Sequence, residues 1–180
     1  ADRDDPSPEE ARARLRDLLE ESVRLRLRAD VPVSLLLSGG LDSAAVASCL
    51  SDRAREVRGF TVRFPGADRT AALGKEVAAR AGLADHDEIP MVPSDVAEEA
   101  ARAAAVYDEP LASASIFPTM LLCRAAGARG KVALGGEGGA EALLGYERYG
   151  RFSAWSPWRA RLSRLAAGDA GYAPPLGPLA

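Results

Sequence analysis

Val33-Ser34-Leu35-Leu36-Leu37-Ser38-Gly39-Gly40-Leu41-Asp42-Ser43 is the stretch whose reading decides the fold. Val33 to Leu37 is a short apolar run with turn signals on both sides, Asp30-Val31-Pro32 before it and Ser38-Gly39-Gly40 after it. Such a run predicts a strand buried in a parallel sheet. A helix is expected from about Ser43 to Leu50. Glycines at the junction let the backbone turn tightly, so that successive N–H groups point at one anion. The helix that follows adds the positive end of its dipole. The hydroxyls of Ser38 and Ser43 suit phosphate oxygens, and Asp42 offers a carboxylate to the Mg²⁺ that phosphates usually bring. The segment is neither G-x-x-x-x-G-K-[ST] nor G-x-G-x-x-G. Two glycines alone would mark a plain strand-to-helix turn; the whole hexapeptide after an apolar strand favours phosphate binding.

Outward from this stretch, strands and helices alternate. Ser7-Pro8-Glu9-Glu10 reads as a capped helix start, with Glu10 placed for a capping box. Leu15, Leu18, Leu19 and Val23 recur at helical spacing and are expected to face the core. Arg24, Arg26 and Arg28 suit the helix end and read as a solvated face. Strands are expected at Val57 to Phe64, Asp87 to Met91 (weaker) and Lys131 to Leu134. Helices are expected at Thr70 to Ala81, with Leu73, Val77 and Ala81 on one face, from a Ser94-Asp95 cap to Val106, and at Pro118 to Ala128. Gly135 to Gly139 forms a second glycine-rich turn, with a helix beginning near Ala140. The alternation implies an α/β fold: an open parallel sheet with helices on both faces. In such sheets ligands bind at the carboxyl ends of the strands, so both glycine-rich turns are expected on one rim. Residues 1–150 form the expected domain, and 151–180 a tail, partly helical and then Gly/Pro-rich.

The chain has 180 residues, 47 % hydrophobic and 27 % charged, which fits one ordinary globular domain. A net charge of −3 gives no electrostatic reason to expect nucleic acid or an anionic membrane as partner. No apolar run approaches the length of a membrane span, and the charged start Ala1-Asp2-Arg3-Asp4-Asp5 has no signal-peptide core. Ala1 stands where an initiator Met would, which suggests a processed product or a fragment. Cys49 and Cys123 lie in apolar surroundings and are expected to be reduced core residues, hence a reducing, cytoplasmic location. His86 is the only histidine. It reads as a hydrogen-bonded structural residue, and no Cys/His zinc site or Ser-His-Asp hydrolase is suggested.

Leu35 to Ser43 resembles the PP-loop of N-type ATP pyrophosphatases, and of the asparagine synthetase family in particular. The resemblance continues through Arg24 to Val33, Phe60-Thr61-Val62 with Phe64-Pro65-Gly66, Glu76-Val77-Ala78 and His86-Asp87-Glu88. It extends to Tyr107-Asp108-Glu109-Pro110 and Pro118 to Leu122. It ends in Val132 to Glu141 with Gly145-Tyr146, similar to the second signature of the family, so it runs from about residue 12 to 150. It implies an adenine nucleotide alpha hydrolase-like, Rossmann-like fold. It also implies an AMP-forming, ATP-dependent amide ligase with ATP and Mg²⁺ as cofactors and an aspartate-type carboxylate and ammonia as partners. By position, Ser38, Gly39, Gly40, Leu41, Asp42 and Ser43 would hold the pyrophosphate, with Asp42 as metal ligand and catalytic residue. Leu36 and Val62 would line the adenine pocket, with ordinary core as the alternative. Gly136 would approach the substrate by its backbone, and Glu137 matches the acidic residue suited as base toward the amine. Asp108 and Glu109 read as caps or loop hydrogen-bonding residues, and Tyr146 as packing.

The chain departs from that pattern. Ala140 stands where the family carries an Asp that helps hold Mg²⁺-pyrophosphate, and Gly135 where it usually carries Ser. Both changes are expected to weaken binding or turnover. Nothing after Tyr146 resembles the family's basic helical segment; Arg148, Arg151 and Arg159 read as substitutes or as a solvated face. Nor does the sequence show the glutaminase domain with its N-terminal Cys, so free ammonia, a separate glutaminase or a missing C-terminal half is expected to complete the system. Two other readings stay open. One is a degenerate pseudoenzyme that binds nucleotide or a partner protein, for which Trp155 and Trp158 beside Pro157 offer a docking surface, with packing against the sheet, the commoner fate of tryptophan, as the alternative. The other is a related β-lactam- or macrolactam-forming cyclase.

Overall fold

The computed structural model describes residues 6–66, 69–92, 95–107, 109, 113–147 and 149. Ser94, Asp108, Pro110, Arg148, Arg151, Trp155, Trp158 and Arg159 lie outside the described residues, as does the tail from 151. The chain divides into two compact units, Ala1–Glu137 and Gly138–Ala180.

Helix α1 (Pro8–Arg26) begins as its sequence dictates. The Glu10 amide donates to Ser7 Oγ at 3.3 Å, and the Ser7 amide donates to Glu10 Oε2 at 2.8 Å, closing the capping box. The backbone donation and the Ser7 hydroxyl hold the Glu10 carboxyl below its ordinary range. Val23 and Leu27 are buried, and Leu19 packs against them. Leu15 and Leu18 are not core residues: they are 45 % and 55 % exposed. Burial is confined to the end of α1, at Leu19, Val23 and Leu27, and among the described residues its first half is exposed, whatever its periodicity.

The sheet is wholly parallel. Its strands β1 (Val33–Leu36), β2 (Arg58–Arg63), β3 (Asp85–Pro90) and β4 (Val132–Leu134) stand in the order β3-β2-β1-β4. Helix α2 (Leu41–Ser48), a 3₁₀ turn (Ser51–Glu56) and α3 (Arg69–Ala81) connect the strands stepping from β1 to β3. Helices α4 (Asp95–Tyr107) and α5 (Ile116–Gly127) fill the return to β4. Right-handed crossovers running in opposite directions put the two groups of helices on opposite faces. Leu35 and Leu37, both 0 % exposed, head a core with Ala47, Leu50, Val57 and Ala78. On the other face α5 packs on β2, β3 and β4.

Edge strand β3 is charged, as befits an edge. Arg58 of β2 meets Asp85 at 3.2 Å and Asp87 at 3.6 Å, and Arg63 meets Glu88 at 3.8 Å. Glu99, 2 % exposed, takes Arg102 at 2.7 Å and also Arg124, tying α4 to α5. Arg124 first, and then Arg102, hold its carboxyl below the ordinary range. The cysteines differ: Cys49 is buried, but Cys123 is exposed. Helix α5 is apolar nearly all round, yet of its residues only Ile116 and Ala126 are buried, so apolar neighbours in sequence did not imply cover. Among the described residues no helix is long and apolar enough to cross a membrane.

In the second unit, α6 (Gly139–Ala142) is a single turn, capped by Gly138 at φ +92°. The Gly145 amide donates to Ala140 O at 2.8 Å. Tyr146, exposed, donates to Glu141 at 2.9 Å and meets Tyr149 edge-on at 5.6 Å.

Candidate functional site

Strand β1 is the pivot of the sheet. From it the chain steps to β2 on one side and returns to β4 on the other, so the β1/β4 boundary is the switch point. Val33, Ser34 and Leu35 pair with Val132, Ala133 and Leu134 in parallel register. The loop after β1 and the turn after β4 therefore leave the sheet side by side. A Cβ on Gly136 would lie 2.6 Å from the Ser43 amide nitrogen and 2.8 Å from the Asp42 carbonyl carbon. Gly136 thus sits directly on the start of α2, an approach that only a residue without a side chain allows.

The loop is shaped by its own residues. Gly39 has φ +71°, a left-handed conformation that costs a side-chain-bearing residue about 1–2 kcal/mol. The Ser38 amide donates to Ser43 Oγ at 3.2 Å, the Gly40 amide to Ser38 Oγ at 3.2 Å, and Ser43 Oγ to Gly40 O at 3.2 Å. The two hydroxyls lie 3.0 Å apart. Ser43 is 3 % exposed and braces the loop from within, whereas Ser38 faces outward. Leu41, Asp42 and Ser43 form the first turn of α2, where amides have no carbonyl four residues back inside the helix. The result is a cluster of donors at a helix N-terminus, matched to an anion.

Half-buried Asp42 lies in that first turn and enters no ion pair among the described residues. No cluster of three or more His, Cys, Asp or Glu suited to a metal occurs among the described residues. The donor set fits Mg²⁺ held by one protein carboxylate with phosphate oxygens and water completing the shell. Leu41 is 84 % exposed at the loop's outer edge. Leu36 pairs with Phe60, and Val62 is two residues further along β2, so Leu36 and Val62 share a face. Leu36 is half-buried, while Val62 is only 5 % exposed. The exposed Glu137 carboxylate folds back over Gly135: its Oε2 lies 2.0 Å from where a Gly135 Cβ would be, so the glycine makes room for it. Clefts of about 400 and 220 Å³ run beside Leu27, and neither is lined by residues 38–43 or 135–137.

Sequence reasoning missed what lies beneath the loop. Gly74 of α3 packs on Thr61, which is 0 % exposed and bonds His86 Nε2 through Oγ1 at 2.8 Å. An isolated glycine inside a helical pattern was the available signal. Burial pushes the His86 pKa below its ordinary 6.5, against the opposing pull of Glu88 and Asp87 and with a smaller downward push from Lys75. The unfolded chain then binds a proton near 6.5 while the folded chain resists it. Stability from this group is complete above pH 6.5 and is lost as pH falls through the lowered folded pKa. Glu10 and Glu99, held below 4.5, act only beneath that value. Between pH 6.5 and 4.5 the melting temperature should therefore fall with pH, and His86→Gln should flatten that slope. Thermal melts across the interval check this; an unchanged slope in the variant would assign it to another group.

The asparagine synthase family model matches residues 14–175. The glutamine-hydrolyzing asparagine synthetase 1 of Bacillus subtilis (strain 168) is 31% identical over 136 residues, 75% of this chain and 21% of that protein. Amidase chyE of Penicillium rubens is 34% identical over 164 residues, covering 79% of this chain and 24% of that one. Among solved structures, NMN synthetase from Francisella tularensis is similar at 21% identity and TM-score 0.49, over 79% of this chain and 59% of that one. The chain spans between 21% and 25% of the length of the B. subtilis relative and a putative asparagine synthetase of Methanocaldococcus jannaschii. The matched region takes in all four strands and both glycine-rich turns, and the chain belongs to the asparagine synthase family.

Proposed function

We propose that this chain is the ATP-using part of an amide-forming ligase. The observation that supports the reading is the seating of Gly136 on the Ser43 amide nitrogen, which brings the turn after β4 against the loop after β1 at the switch point. The amides of 41–43 and the Ser38 hydroxyl would grip the β- and γ-phosphates of ATP, with Leu36 and Val62 toward adenine. Asp42 would hold Mg²⁺, which supplies charge stabilisation to the leaving pyrophosphate. An oxygen of the substrate carboxylate, of aspartate type, attacks the α-phosphorus, and the bond to pyrophosphate breaks. Ammonia then attacks the acyl carbon and AMP departs. Glu137, on a carboxylate free to swing from Gly135, would accept the proton that the nitrogen loses. Holding the reactants in line removes most of the entropic barrier.

Ala140 favours a second reading, nucleotide binding without turnover, because alanine brings no second carboxylate to Mg²⁺-pyrophosphate. Incubation of the whole chain with ATP, Mg²⁺, ammonium and aspartate separates the two. Ligase chemistry predicts AMP and pyrophosphate in equal amounts, dependent on ammonium and aspartate. It also predicts turnover raised roughly tenfold or more by Ala140→Asp, the scale of 1.4 kcal/mol of added transition-state stabilisation. ATP binding with no pyrophosphate from either folded protein would leave the binding-only reading.

A further inference from the structure

Helix α3 contributes no group to the proposed chemistry, yet it makes two very close approaches. A Cβ on Gly74 would lie 2.5 Å from Thr61 Oγ1 and 3.0 Å from its Cγ2. A Cβ on Gly39, inside the loop, would lie 2.7 Å from Thr70 O, 2.9 Å from Leu73 Cβ and 3.2 Å from the Gly74 amide nitrogen. Gly74 therefore rests on β2 while its own turn of α3 carries Gly39. Thr61 cannot yield. It is 0 % exposed, a threonine is stiff about χ1, and its hydroxyl is bonded to His86 at 2.8 Å. A glycine is a poor residue for a helix interior, so its presence in mid-helix fits a need for close approach rather than for helix formation.

We propose that Gly74 and Thr61 are positioning residues for the pyrophosphate loop: the depth at which α3 seats on Thr61 sets the height of the backbone against which Gly39 rests. Adding a methyl at Gly74 lifts α3 from β2. The Thr70–Gly74 turn then presses on Gly39 and swings the amides that follow it. Neither residue touches the nucleotide in this account. The inference rests on the nucleotide reading of the loop.

A size exchange tests it. Wild type, Gly74→Ala, Thr61→Ala and the double variant are titrated calorimetrically with ATP and Mg²⁺, and each is melted to establish that it is folded. Gly74→Ala should lose at least about tenfold in affinity, from the ordinary cost of overpacking. Removing the Thr61 hydroxyl and methyl clears the space, so the double variant should bind within about threefold of Thr61→Ala, because Gly74→Ala then has little left to overpack. The melts separate the two effects: the affinity loss counts only where Gly74→Ala is fully folded at the titration temperature, and stability alone does not change the affinity of a folded chain. Wild-type affinity in Gly74→Ala overturns the proposal, as does a folded double variant no better than Gly74→Ala. Should Gly74→Ala not fold, the double variant decides alone: folding with affinity near that of Thr61→Ala supports the proposal, and folding without affinity overturns it. A folded wild-type chain that binds no ATP removes the loop reading and the proposal together, whereas binding by the wild type and equal binding by Gly74→Ala removes only the positioning.

Discussion

Gly136→Ala should lower ATP affinity roughly a hundredfold and the melting temperature by about 5 °C. The added Cβ would lie 2.6 Å from the Ser43 nitrogen and 2.8 Å from the Asp42 carbonyl carbon. Both are backbone atoms at the start of a helix, so no side chain can turn away, and β4 must part from α2. Overpacking of this kind costs about 1–3 kcal/mol. The same displacement carries the Ser43 amide and Asp42 out of position, so affinity falls more than stability alone accounts for. Gly135→Ala is the matched comparison. Its Cβ meets only the end of the Glu137 side chain, at 2.0 Å, and that exposed carboxylate can swing aside. The variant should melt and bind as the wild type does. Calorimetry and melting of the two variants check this; equal behaviour would mean that the two turns do not work as one rim.

Asp42→Ala separates binding from folding. Asp42 makes no ion pair among the described residues, and its stabilising role is that of an acid in a first helical turn, worth about 0.5 kcal/mol. The fold should therefore hold. ATP affinity in Mg²⁺ should fall by at least about a hundredfold, since loss of even an outer-shell partner of a metal costs up to that much. In the absence of Mg²⁺ the variant and the wild type should bind ATP alike, because the loop amides and Ser38 are unchanged. A variant as Mg²⁺-dependent as the wild type would place the metal elsewhere.

Much of this arrangement was legible in sequence because it is local. Val33 to Leu37 followed by two glycines could be read as strand, turn and helix from neighbouring residues alone, and the capping box of Ser7 and Glu10 spans four residues. The shared face of Leu36 and Val62 follows from period-two alternation once the register is known. The errors arose where contact depends on what covers a surface. Leu15 and Leu18 carry the right periodicity for burial, but among the described residues they are exposed. Cys123 lies in an apolar helix that is only partly covered. The support beneath the loop was illegible for another reason. Gly39, Thr61, Gly74 and His86 come from four separate segments, brought together by the pairing of β2 with β3 and the packing of α3 on β2 and on the loop.

The most direct measurement is a calorimetric titration of the folded wild-type chain with ATP, with and without Mg²⁺. Saturable binding that Mg²⁺ strengthens is the expected result. No binding heat under either condition, from a chain that melts cooperatively, would contradict it.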